Sequence, residues 1–178
     1  MVLPLRVDTE RLTLLRPSTA DAGEIFERYA SDPDVTRYLG WPRHENLDDT
    51  RGFLTFSAAQ WRREGAGPYL IRSRDDGRLL GSTGVAKNDE VEAMAGYVLA
   101  RDAWGRGLAT EALTAIVEAA RAIRLPRLHA LCHPDHRASW RVLEKCGFQR
   151  NATWTRKMEF PNLARGVDQD VLCFARVP

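Results

Sequence analysis

Apolar positions along the chain recur with a period near two in some stretches and near 3.6 in others, and the order of those stretches outlines a fold. Arg11 to Arg16 reads as a first strand, ended by Pro17. Ser18 followed by Asp21 has the spacing of a capping box, in which side chains satisfy the exposed amides of a helix start. Ile25, Phe26 and Tyr29 share one face of the helix this predicts, and Ser31-Asp32-Pro33 interrupts it before a short turn carrying Val35 to Leu39. After a loop from Gly40 to Asn46, a longer helix has Leu47, Phe53, Leu54 and Trp61 as its apolar positions, until Arg63 to Pro68 breaks the pattern. Tyr69 to Arg72 and Leu79 to Ala86 are strands joined by Asp75-Asp76-Gly77, a good hairpin turn. Val91 to Ala100 is a further strand.

The strongest helical stripe is Leu108, Ala112, Ile116, Ala120 and Ile123, which predicts a helix from about Gly107 to Arg124, stopped by Pro126. Leu128 to Cys132 is the next strand, followed by a helix over about Ala138 to Cys146, with Gly147 placed for a left-handed cap. Two last strands fall within Ala152–Phe160 and Gln169–Val177. Hairpins, then strand–helix–strand–helix, then a terminal strand pair describe an α/β fold: a mixed, mostly antiparallel sheet of about seven strands with helices on both faces.

Composition narrows the classes. A chain of 178 residues with no low-complexity tract fits one domain, spanning residues 1–178, that buries a core without disulfides or metals. A net charge of +2 gives no basic surface for nucleic acid or membrane. No apolar run is long enough to span a bilayer, and Arg6 and Asp8 break any signal-peptide pattern at the start. Cys132, Cys146 and Cys173 are odd in number and lack paired spacing, which predicts reduced core thiols and a cytoplasmic protein. His129, Cys132, His133 and His136 invite a metal reading. Strand alternation sends His129 and His133 to the face opposite Cys132, however, and the expectation is no metal.

The richest chemistry lies in Trp104-Gly105-Arg106-Gly107-Leu108-Ala109-Thr110, between a strand and the long helix. Glycines let a backbone turn tightly beside a ligand. The first amides of a helix lack intrahelical partners, and the dipole adds positive potential there. Strand, glycine turn and helix start together make a phosphate cradle, to which Arg106 adds a cation. Thr110 stands at the third glycine position of a dinucleotide fingerprint, so that motif is absent. From this segment alone, an ordinary strand-to-helix turn is as good a reading.

A set of ordered matches resolves the choice. The segment resembles the coenzyme A loop of GNAT acetyltransferases, which reads Arg or Gln, two residues, Gly, one residue, then Gly or Ala. Gly107 and Ala109 match the last two fixed positions and Trp104 replaces the first, as in the RimJ/RimL-like branch. His136 through Ser139, Leu143, Lys145, Gly147 and Phe148 is similar to a second family block, with His136 in the usual Asn position. Thr9 to Pro17, Asp21-Ala22, Asp32 to Leu39, Pro161-Asn162-Leu163 and Asp170-Val171-Leu172 also fit that branch, so the resemblance spans nearly the whole chain. It implies a splayed pair of central strands and acetyl-CoA as co-substrate. The acceptor it implies is a primary amine, more a protein or peptide N-terminus than an antibiotic or polyamine. A non-catalytic coenzyme A-binding module is the rival, and the expected assembly is a monomer or homodimer.

The resemblance also assigns roles. Trp104 to Thr110 hold the cofactor's pyrophosphate. Val98 and Leu99 offer backbone groups to the pantetheine arm and the thioester carbonyl, an oxyanion-type contact. His136 and Ser139 border the cofactor, and the Ser139 hydroxyl serves the departing thiolate or, alternatively, caps its helix. For the base, Glu92 on the central strand is the first choice and His136 the second. A solvated charge beside Asp89 and Glu90 is nevertheless the more common meaning of a carboxylate near a strand end such as Glu92. Trp41 and His44 lie in the loop that borders the acceptor site, where loop packing is the alternative.

Overall fold

Leu12, Leu14, Tyr69 and Ile71 fall on one face of adjacent strands and are fully buried. A one-residue slip would turn all of them to the other face, so this burial fixes the register. The computed structural model describes residues 2–87, 92–153 and 155–177. Among these, nine strands form a sheet: β1 (Arg6–Asp8), β2 (Leu12–Leu15), β3 (Pro68–Ser73), β4 (Leu79–Lys87), β5 (Glu92–Leu99), β6 (Arg127–Cys132), β7 (Gln149–Arg150), β8 (Arg156–Glu159) and β9 (Asp168–Arg176). Their order is β1-β2-β3-β4-β5-β6-β9-β7, with β8 also paired to β9. Every pairing is antiparallel except β5 with β6. The sheet exceeds the expected seven strands through β1 and β7, which are too short to carry a readable alternation. Asp89, Glu90 and Val91, the start of one expected strand, and Trp154, within another, lie outside the described residues.

Helices cover both faces. α4 (Leu108–Ala122) buries its predicted stripe, Leu108, Ala112, Ile116 and Ala120, together with Leu113 and Val117. It shares one core with Leu14, Ile71, Val85, Ala95 and Leu99, and α5 (Arg137–Lys145) joins it through Leu143. On the other face, α1 (Ala22–Ile25) and α3 (Leu47–Glu64) pack over Leu70, Leu79 and Val98. The helix expected after Ser18 is a composite: a 3-10 turn Thr19–Asp21, α1, and a π turn Phe26–Ala30, followed by α2 (Pro33–Thr36). Asp21 accepts bonds from the Ser18 N–H at 2.7 Å and hydroxyl at 2.8 Å, as the capping spacing predicts. Asn46 caps α3 from the Asp48 and Asp49 amides, and Gly65 ends it at a φ of 63°. Among the described residues no helix is long and apolar enough to cross a membrane.

One feature of the sheet positions everything else. β5 pairs with β6 only from Glu92 opposite Arg127 to Met94 opposite His129. β6 then continues with β9, and β5 continues with β4 as far as Leu99 opposite Gly81. The two central strands therefore part after Met94, as the resemblance implies, and leave a gap between Ala95–Leu99 and Ala130–Cys132. The β4–β5 ladder decides which groups face it. Ala100 donates to the Leu80 carbonyl at 2.8 Å. Antiparallel alternation then commits the backbone of Val98 to Ser82 and turns that of Tyr97 and Leu99 toward the gap.

Gly81 makes this end of β4 possible. Between β3 and β4 the register shifts, so that Leu80 is an extra residue between Leu79 and Gly81. Gly81 has a φ of 152°, and a Cβ there would lie 2.1 Å from the Val98 carbonyl oxygen. Gly81→Ala is expected to cost about 2 kcal/mol or more in urea unfolding, through backbone strain and the clash with β5. A loss under about 0.5 kcal/mol would show that the bulge does not set the path of β5.

Candidate active site

The gap opens at its upper end onto the glycine segment. Gly105 and Gly107 have φ values of 72° and 76°, and Gly107 is the N-cap of α4. A Cβ at Gly105 would meet nothing within 4 Å, and one at Gly107 only Arg11 Nη2 at 3.7 Å. It is the left-handed backbone, not crowding, that calls for glycine here. Leu108 sends its side chain into the core, Ala109 packs against it, and the Thr110 carbonyl accepts from the Cys146 thiol. These three thus present backbone amides at the start of α4 rather than side chains. Arg106 is exposed.

The turn is tied down at both ends. Trp104 donates its indole N–H to the Leu99 carbonyl at 2.8 Å, so Leu99 keeps its amide for the gap while its oxygen is engaged. Arg11 donates to the Arg106 carbonyl at 3.0 Å and to Glu111 at 2.7 Å. Glu111 also accepts from the Thr9 hydroxyl and the Arg11 amide. Burial alone would raise the Glu111 carboxyl, yet these bonds outweigh it and hold the group below its ordinary range. The first strand region is thereby clamped to the first turn of α4, directly under the glycines.

Below the turn lies a cavity of about 840 Å³. Gly96 to Val98, Ala130 to Cys132, His136 and Ser139 line the side toward the gap. Trp41, His44, Phe53 and Phe56 line the side toward α3, and Met158, Phe160 and Arg165 close it from the β8–β9 connection. Val98 enters through its side chain, because its backbone groups are spent on the ladder with Ser82. The backbone groups of Leu99, as expected, and those of Tyr97 face the gap, whereas those of Val98 do not.

Ser139 stands in the first turn of α5, half-buried. The Tyr97 hydroxyl donates to the Ser139 carbonyl at 2.7 Å and lies 2.9 Å from its Oγ. Tyr97 thus reaches across the gap from β5 to α5. Burial pushes its phenol well up, with only partial offset from Ser139, so it stays protonated. His136, just before α5, stacks on Tyr38 with ring centroids 4.9 Å apart. Burial lowers its imidazole below the ordinary histidine value, and His133 lowers it further. His133 accepts from the Asp135 amide at Nδ1 and meets Gln169 Oε1 at Nε2, which assigns its proton to Nε2.

Glu92 is placed elsewhere. It begins β5 where β5 and β6 are still paired, meets Arg127 at 2.8 Å, and is not among the residues lining the cavity. Trp41 and His44 do line it, with ring centroids 5.2 Å apart. His44 Nδ1 pairs with the Thr50 hydroxyl at 2.8 Å, and burial lowers its imidazole. Their loop is strapped by Asn162, which accepts from the Arg43 amide and donates to the Thr36 and Trp41 carbonyls. Sequence reasoning passed over Tyr38, Tyr97 and Phe160 and weighed His133 only as a metal ligand. Among the described residues, no three His, Cys, Asp or Glu side chains converge as a metal site.

Residues 11–149 match a family model described as an acetyltransferase (GNAT) domain. The uncharacterized N-acetyltransferase YoaA of Bacillus subtilis is 29% identical over 155 residues, covering 85% of this chain and 87% of YoaA. The crystal structure of a GNAT-family acetyltransferase from Bacillus anthracis is similar at a TM-score of 0.81 and 25% identity, covering 97% of this chain and 98% of that one. A RimL ribosomal alpha-N-protein acetyltransferase in complex with coenzyme A has a TM-score of 0.80 at 20% identity, over 99% and 98% of the two chains.

Gly107→Glu, which sets a carboxylate at the start of α4, is expected to abolish acetyl-CoA binding in calorimetry while the protein stays folded by circular dichroism. Unchanged affinity in a folded variant would remove the glycine turn from the ligand site.

Proposed function

Because the chain belongs to the acetyltransferase (GNAT) domain family, and is thereby an acetyl-CoA-dependent acyltransferase, we propose that its acceptor is a primary amine at a protein or peptide N-terminus. The observation that carries this is the parting of β5 and β6, which joins the phosphate-type turn to an aromatic cavity lined by the half-buried imidazole of His136. The likeness to RimL and the RimJ/RimL-like sequence pattern support an N-terminal amine over an antibiotic or polyamine. The protein is expected to work in the cytoplasm as one domain, a monomer or homodimer, without nucleic acid or metal.

The residues fit the co-substrate. Gly105, Gly107 and the first amides of α4, from Leu108 to Thr110, with Arg106 beside them, would hold its pyrophosphate. The backbone groups of Tyr97 and Leu99 that face the gap would hold its arm, and the Leu99 amide would polarise the carbonyl. When bound, acetyl-CoA supplies a thioester as acetyl donor. His136 is the base: its neutral imidazole accepts the proton that the amine nitrogen gives up as it bonds to the acetyl carbon. Ser139, in contact with Tyr97, would donate a hydrogen bond to the sulfur as the carbon–sulfur bond breaks, and coenzyme A would leave as the thiolate. Glu92, held by Arg127 at the closed end of the gap, takes no part. Trp41 and His44 border the acceptor.

Thiol release with acetyl-CoA and a panel of peptides, aminoglycosides and polyamines tests the assignment. Peptide turnover is expected. Turnover of aminoglycosides or polyamines alone would give a small-molecule enzyme, and binding without turnover on any acceptor would favour the non-catalytic module.

The pH profile tests His136 separately. Its imidazole is held below the ordinary value of about 6.5, and the acceptor amine titrates near 8. Only the deprotonated forms of both react. The logarithm of kcat/KM should therefore rise with a slope of about two below the His136 pKa and about one between the two values. His136→Asn is expected to lower kcat/KM by about 10²–10⁴ and to leave a slope of one throughout. A variant that keeps the steeper limb would exclude His136 as the base.

A further inference from the structure

Gly96 occupies the middle of β5, where a glycine weakens a strand and leaves nothing to pack. Two ordinary reasons for a glycine are missing. Its φ does not lie in the left-handed region, and a Cβ built on it would meet nothing within 4 Å. Its cross-strand partner Gly84 differs: a Cβ there would lie 2.6 Å from both the Gly67 carbonyl oxygen and Pro68 Cα. Packing explains Gly84 and leaves Gly96 unexplained.

Position supplies the reason. Gly96 is exposed although it belongs to a central strand and its neighbour Ala95 is buried, and it lines the cavity. Strand alternation puts Met94 and Val98 on the same face as Gly96. α3 contributes Phe53 and Phe56 to the same cavity, and β6 contributes Leu131. These surfaces are carbon. Of the charged residues in the lining, Glu45 and Arg165 bond to each other and are largely exposed, at 62% and 74%, Asp49 accepts from the Glu45 and Asn46 amides, and Arg43 is exposed. The next residue after Gly96 is Tyr97, whose hydroxyl meets Ser139. Tyr97 itself turns to the other face of the strand, and His136 and Ser139, the side chains proposed above to act in the transfer, line the same cavity as Gly96.

We propose that Gly96 is a specificity-determining residue: it hollows the floor of the cavity to admit a bulky apolar group on the carbon that bears the acceptor amine. For a peptide acceptor this is a large apolar first residue. The inference rests on the acetyltransferase reading above and deepens it by naming the substrate's shape.

Gly96→Ala and Gly96→Val test it with matched acceptors: a Gly-initiated and a Phe-initiated peptide otherwise identical, and ethylamine with phenethylamine. Thiol release gives kcat/KM, calorimetry gives acetyl-CoA affinity, and thermal unfolding gives Tm. The parent protein is expected to prefer the bulky member of each pair by about tenfold or more. Gly96→Val should lower kcat/KM for the bulky members by about 30-fold, with Gly96→Ala between, and the small members should change by less than about threefold. Acetyl-CoA affinity should hold, and Tm should hold or rise, because a β-branched residue suits a strand with empty space above it.

Equal losses for bulky and small acceptors would overturn the proposal. So would a fall in Tm of more than about 5 °C, which would mean that the space is not empty. Turnover of the amine pair without either peptide would sink the N-terminal reading instead, and the amine pair would then decide Gly96.

Discussion

Two neighbouring parallel strands that stop pairing halfway along create the condition on which this molecule depends. A backbone edge in the middle of a sheet is costly to leave unpaired, since buried amides and carbonyls need partners. Here β5 holds its β4 partner to the end, β6 holds β9, and the edge of β5 from Ala95 to Leu99 is left facing a gap. A ligand that runs an amide-containing arm along that edge replaces the missing strand. Binding energy drawn from that edge would come from backbone groups, which side-chain substitution does not remove.

The surrounding interactions hold the gap open and join it to its two ends. Gly81 lets β4 bulge against β3 while lying close on β5 opposite Leu99. Trp104 bonds back to the Leu99 carbonyl, so the glycine turn begins where the free edge ends. Arg11 and Glu111 clamp the underside of that turn to α4. At the other end Tyr97 bridges the gap to Ser139, and Tyr38 packs on His136 from the opposite face. The turn, the edge and the Tyr97, Ser139 and His136 side chains are therefore coupled through short contacts, most of them between segments far apart in the sequence. Asn162 does the same for the loop of Trp41 and His44, with three bonds from one side chain to the backbone of residues 36–43.

Elements whose burial follows a clear period were legible in the sequence. The α4 stripe, the capping of the first helical segment and the Asp75-Asp76-Gly77 turn each rest on a local rule. β1 and β7 were not, because three and two residues carry no alternation. The glycine turn was legible because positive φ demands glycine, and the family resemblance gave it a ligand. Side-chain roles were harder. Tyr97 and Ser139 are 42 residues apart and meet only once α5 lies beside the gap. Glu92 looked like a base because its strand is central, but its place at the start of that strand sets it beside Arg127. Val98 and Leu99 looked alike by position, and only the ladder with β4 shows which of them turns its backbone to the gap. His136 stood out as a departure from the family pattern, and burial lowers its imidazole below the ordinary histidine value.

Hydrogen exchange with and without saturating acetyl-CoA, read amide by amide, tests the central claim most directly. The amides of Tyr97 and Leu99, which face the gap, and those from Gly105 to Thr110 should slow on binding. The Val98 amide, already bonded to β4, should not change. Added protection at Val98 and none at Tyr97 or Leu99, or protection confined to regions away from the gap, would contradict the account of how the parted strands hold their ligand.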